Sequence, residues 1–91
     1  MGNKTSFEVN PETGIVTIEL GGRLRWALEQ LMKAGAKGVT PLENPALRWA
    51  AYVHRLRELG IDIETKTERH AKPFAGNHAR YVLRSQVRAV K

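Results

Sequence analysis

Ninety-one residues suffice for one domain and leave no room for a second, and at this length roughly 60% of the unfolded chain's surface can be buried, so the core is small. The chain carries 15 Lys and Arg against 9 Asp and Glu, a formal charge of +6; residues 1–45 hold five of each sign, whereas residues 46–91 hold ten basic and four acidic side chains. That asymmetry points to a polyanionic partner, nucleic acid first, while the lack of cysteine excludes disulfides and thiolate metal sites. No apolar run reaches the roughly 18 residues of a membrane span and none resembles a secretory signal, so a cytoplasmic protein without membrane contact is expected.

In chain order, residues 1–6 have nothing to bury and are expected to be disordered, ahead of a single domain over residues 7–91. Phe7 to Val9, a turn at Asn10-Pro11-Glu12-Thr13-Gly14 and the β-branched run Ile15 to Leu20 predict a β-hairpin over residues 7–20, with Val16, Ile18 and Leu20 on one face. Gly21-Gly22 ends the strand. Leu24, Ala27, Leu28 and Leu31 then recur at helical spacing, predicting a core-facing helix over residues 23–34 that stops at Gly35; Trp26, beside this stripe, reads as a boundary aromatic covering the core. Val39 can add a short extended piece, and Thr40-Pro41 has the cap and first-position chemistry of a brief second helix over residues 40–43.

The best-defined helix follows, predicted over residues 45–59. Asn44 is its candidate N-cap, Pro45 fits the first position, and Gly60 can supply a left-handed C-cap. At 100° per residue Ala46, Trp49, Ala50, Val53 and Leu56 form an apolar stripe, and Arg48, Ala51, Tyr52 and Arg55 gather opposite. Arg57 lies beside the stripe, where it packs its stem or pairs with an acid such as Glu29 or Glu43. Ile61 to Thr67 alternates with period two and predicts a half-buried strand, whose partner is Ala79 to Val87, so that residues 61–87 form a second hairpin. Glu68 to His78 is its polar loop, with Phe74 as the anchor onto the sheet, and Val87 to Lys91 either extends the strand or frays.

This order of elements resembles a winged helix-turn-helix domain: an α+β fold with three helices, a C-terminal β-hairpin wing and, here, an extra N-terminal β-hairpin. The resemblance spans about residues 23–87 and is most specific in WAAYVHRLRELGIDIET and HARYVLRS. Similar runs occur in small winged-helix proteins of bacterial and prophage genomes, and Val53, Leu56, Arg57, Gly60, Ile61 and Ile63 carry the match. The resemblance implies that Val53 and Leu56 are core, Gly60 is the helix stop and Ile61 and Ile63 open the wing. The middle helix is shorter than the pattern and the hairpin at residues 7–20 is additional, a candidate dimerisation edge.

The expected function is double-stranded DNA binding in transcription regulation or as an architectural factor. Arg48, Tyr52 and Arg55 would face the major groove, an arginine reading guanine O6 and N7 and Tyr52 touching phosphate or a thymine methyl. Lys66, Arg69, Lys72, Asn77, His78 and Arg80 of the wing would grip phosphates. The bland readings are a solvated cationic helix face and an exposed hairpin tip. Two rivals are a protein-interaction module meeting an acidic partner, favoured if Leu47, Tyr52 and Leu59 form an apolar patch beside neutralised arginines, and a double-stranded RNA binder. His54, His70 and His78 lack metal-ligand spacing, and no nucleotide-binding loop, nucleophile elbow or HExxH motif occurs, so no cofactor, metal or catalysis is expected.

Overall fold

A computed structural model of the chain describes residues 4–10, 14–41, 48–70 and 76–90, with His70 described by its backbone alone. The cap at Asn44 with Pro45, the end of the proposed 40–43 segment, Ala46, Leu47 and the loop residues Lys72 to Phe74 lie outside the described residues.

The amino-terminal hairpin forms as the alternation predicts, from β1 (Thr5–Val9) and β2 (Val16–Leu20), antiparallel with Phe7 opposite Ile18. It starts earlier than expected, because Thr5 and Ser6, assigned above to a disordered terminus, pair with Leu20 and Glu19. Phe7, Val9 and Leu20 are buried, so this hairpin is part of the core and not an appendage to it.

Two α-helices follow among the described residues, where the resemblance implies three. The first, α1 (Gly22–Ala34), buries Ala27, Leu28 and Leu31 and stops where Gly35 takes a φ of 58°. Thr40 is buried in irregular backbone and Pro41 lies in a turn, and the rest of the proposed middle helix lies outside the described residues. The second, α2 (Trp49–Glu58), begins later than residue 45, since Arg48 stands outside helical geometry at φ −134° and ψ 37°. Its end follows the sequence closely. Gly60 has a φ of 96° and donates to the Arg57 carbonyl while Ile61 donates to that of Leu56, which satisfies two end carbonyls in a Schellman arrangement.

The wing consists of β3 (Ile63–His70) and β4 (Gly76–Leu83), antiparallel with Ile63 opposite Leu83. Both strands run further toward the tip than predicted, so Glu68 to His70 and Gly76 to His78 are ladder rather than loop. Val39 adds a single antiparallel bridge to Tyr81, exchanging hydrogen bonds of 2.8 and 2.7 Å with it. The carboxyl end departs from both expectations. Instead of extending the wing or fraying, β5 (Val87–Val90) crosses to pair with β1, giving a second sheet in the order β2-β1-β5.

Local chemistry explains the crossing. The amides of Arg84 and Ser85 both donate to the Asp62 carbonyl and the Asp62 amide donates to Ser85 Oγ at 2.7 Å, which turns the chain out of the wing. Asn10 receives it: its amide donates to Gln86 O at 2.6 Å and its Oδ1 accepts from Gln86 N at 3.2 Å. Asn10 has a φ of 53°, a left-handed conformation that asparagine tolerates better than most side chains.

One core joins these parts, with Phe7, Val9 and Leu20 from the hairpin, Ala27, Leu28 and Leu31 from α1, Val39, then Trp49, Val53 and Leu56 from α2 and Ile61, Ile63 and Tyr81 from the wing. Gly38 occupies its tightest approach. At a φ of 78°, a Cβ there would lie 2.7 Å from the Tyr81 carbonyl oxygen and 2.8 Å from a Val82 methyl. Gly38→Ala is therefore expected to cost upwards of about 2 kcal/mol and lower Tm by roughly 10 °C. Gly60→Ala meets open space and carries only the left-handed penalty of about 1 kcal/mol. Thermal unfolding of the two variants checks the order; equal losses would contradict the close approach.

Candidate functional site

Burial on α2 separates its faces. Trp49, Val53 and Leu56 are inside, whereas Arg48, Ala50, His54, Arg55 and Glu58 are exposed. The predicted stripe was too wide: Ala50 lies in solvent, because the buried arc is centred between Trp49 and Leu56. Arg48 and Arg55 stand on the outer side as expected. Arg55 donates to Glu58 at 3.1 Å but keeps 56% of its side chain exposed, and the Arg48 side chain makes no hydrogen bond or ion pair among the described residues. His54 also meets Glu58, at 3.5 Å, and the sequence reading did not place it on this face.

Tyr52 is half-buried. Its ring sits edge-on to Trp49 at 6.2 Å, and its hydroxyl accepts from Arg23 Nε of α1 at 3.3 Å. It therefore joins the two helices at the border of the exposed face. Trp26 is the boundary aromatic expected, 5.4 Å from Trp49. Arg57 does not pair with Glu29, and Glu43 lies outside the described residues; Arg57 donates to the Ile63 carbonyl at 3.1 Å and to Thr65 Oγ1 at 2.8 Å, tying α2 to β3.

The wing presents two unlike faces. Strand register places Thr65, Thr67 and Arg69 with Asn77, Ala79 and Tyr81 on the face that meets α2, and Tyr81 lies 6.4 Å from Trp49 with the rings inclined by 29°. Glu64, Lys66 and Glu68 share the other face with His78 and Arg80. Of the predicted phosphate grips, Lys66, Arg69 and Asn77 are exposed. His78 and Arg80 keep only 13% and 17% of their side chains exposed. Glu68 takes both, accepting from Arg80 Nε at 2.8 Å and meeting His78 Nε2 at 2.9 Å, while Arg80 also donates to the Lys37 carbonyl at 3.1 Å. An acid shared by an arginine and a histidine across a strand pair is a tertiary fact that one-dimensional patterning does not contain.

These contacts set the acids' ionisation. Hydrogen bonding from Arg80 first, and from His78 second, holds the Glu68 carboxyl below the usual glutamate range. Arg84 does the same for Glu64. A lowered folded-state pKa contributes stability above the unfolded value, lost as pH falls through the folded one. The wing is thus expected to loosen on acidification below the ordinary glutamate range, and Glu68→Gln to flatten that dependence. Carboxyl NMR titration checks it, and an unshifted Glu68 would contradict the pairing.

No group of three or more His, Asp or Glu among the described residues could hold a metal ion, and no described helix is long and apolar enough to cross a membrane. The α2 face and the wing beside it have the geometry of one composite surface. The profile of the winged helix domain matches residues 17–91. The chain belongs to the winged helix domain family. Membership points to DNA binding or regulation in general, and it covers β2 onward, so β1, with its buried Phe7, precedes the matched residues. No characterised protein and no solved structure matches the chain significantly.

Proposed function

We propose that this winged helix domain binds double-stranded DNA as a cytoplasmic transcriptional regulator or architectural factor of bacterial or prophage type, without catalysis. The exposed arginine face of α2 would enter the major groove and the wing would hold phosphates. The observation that carries this reading is the outward orientation of Arg48 and Arg55 on the helix that Tyr81 fixes beside the wing. Lys66 and Arg69 support it, since both are exposed and neither meets a carboxylate among the described residues. Arginine reads guanine through two parallel hydrogen bonds, whereas lysine and arginine on the wing neutralise backbone charge without regard to sequence. Of the residues whose apolar patch would favour an acidic protein partner, Tyr52 and Leu59 are half-buried and Leu47 is outside the described residues.

Titration of labelled duplex at two salt concentrations tests the reading. Arg48→Ala with Arg55→Ala is expected to weaken the preferred sequence about 10- to 100-fold and flatten the preference among sequences. Lys66→Ala with Arg69→Ala is expected to weaken all sequences alike and reduce the salt slope by roughly two. Unchanged binding by the α2 variant would remove the groove-reading role, and tighter binding to an RNA duplex would redirect the proposal.

Self-association is the second part of the proposal, favoured by one feature. Strand β2 is an edge of its sheet, and at its start Ile15 and Val16 are 56% and 51% exposed. Pairing β2 with its counterpart in another copy would cover the edge and present two α2 helices to successive half-sites. Ile15→Thr with Val16→Lys is expected to shift sedimentation from dimer to monomer; a wild-type monomer at high concentration would contradict the pairing.

A further inference from the structure

Five arginines meet glutamates among the described residues. Arg25 meets Glu29, Arg55 meets Glu58, Arg80 meets Glu68, Arg84 meets Glu64 and Arg88 meets Glu8. Arg23 is different. It is exposed at the start of α1, and the groups that position it are neutral: its guanidinium carbon lies 4.6 Å from the Trp26 ring centroid and 6.0 Å from that of Tyr52, and Nε donates to the Tyr52 hydroxyl. An aromatic face orients a guanidinium without cancelling its charge. Arg23 is therefore held in place and still fully cationic.

Its position matters as much as its charge. Tyr52 precedes Arg55 by three residues on α2, a spacing that makes neighbours on a helix surface, and its amide donates to the carbonyl of Arg48 at the helix start. Arg23 thus extends the α2 arginine face across the junction with α1. Its Nη groups remain as donors once Nε is used on Tyr52, and the Tyr52 hydroxyl, accepting that bond, keeps its own proton to give. The first turn of α1 carries no acid and Gly21 makes no side-chain cap, so the backbone there adds positive potential.

We propose that Arg23 and Tyr52 together form a phosphate-binding pair at the edge of the DNA interface, gripping a backbone oxygen beside the groove that α2 occupies. The pair fixes register and does not read sequence. This inference rests on the DNA-binding reading above, and its test separates the two.

Duplex affinity is measured across salt concentrations for the full chain and its variants. Arg23→Ala is expected to weaken all sequences by the same factor and to reduce the salt slope by about 0.9, the value for one phosphate contact. Arg23→Lys, which keeps the charge, is expected to restore the slope, and Tyr52→Phe to weaken binding several-fold with the slope retained. A purely structural role for Arg23 would move Tm and leave the slope alone. An unchanged slope in Arg23→Ala, with Arg48→Ala and Arg55→Ala still weakening the complex, overturns this pair while leaving the α2 reading intact. Absence of duplex binding by the wild-type chain overturns both.

Discussion

Tyr81 is the point at which the two working parts of this protein are fixed to each other. Its amide and carbonyl are both taken by Val39, its ring lies against Trp49 of α2, and its carbonyl is approached so closely by Gly38 that no side chain fits there. Backbone bonds hold the strand and aromatic packing holds the helix, so α2 has little freedom to rotate relative to the wing. Arg57, bonded to Ile63 and Thr65, adds a second tie between the same two elements. A surface made of two secondary-structure elements can have a shape only if their relation is set, and here core contacts set it from behind.

The second sheet does for the back of the domain what Tyr81 does for the front. β1 is paired on both sides, by β2 and β5, and Phe7 reaches the same core as Trp49. Chain ends far apart in sequence are thereby closed onto one another through Asn10 and Gln86, and Arg88 is paired with Glu8 across the same ladder. Such closure stabilises the small core against fraying, since the strands at the ends of the described chain depend on each other for their hydrogen bonds. Among the described residues, Arg48 and Arg55 at α2 and Lys66 and Arg69 on the wing keep their exposure with the hairpin packed into the core behind them.

Features set by local physics were legible in the sequence. The Gly35 and Gly60 stops, the α1 stripe and the two hairpins all follow from spacing over a few residues, and the arginines of α2 emerged on the expected side. What depended on distant partners was not legible. Nothing in Val87-Arg88-Ala89-Val90 shows that its partner is β1, because alternation defines a strand and not its neighbour. The sequence shows neither that Glu68 pairs with Arg80 and His78 nor that the Tyr52 hydroxyl accepts from Arg23. Cross-strand and interhelical pairing is decided by the folded geometry; composition gives the net charge but not which cations remain exposed.

The account places binding on one side of the molecule, and amide chemical shifts recorded while duplex DNA is titrated into the isotopically labelled protein test this most directly. It predicts that the largest changes fall at residues 48–58 of α2 and at the wing around Lys66, Arg69 and Asn77, with β1 and β5 near their unbound positions. Shifts concentrated on the β2-β1-β5 sheet, with α2 and the wing unmoved, would contradict it.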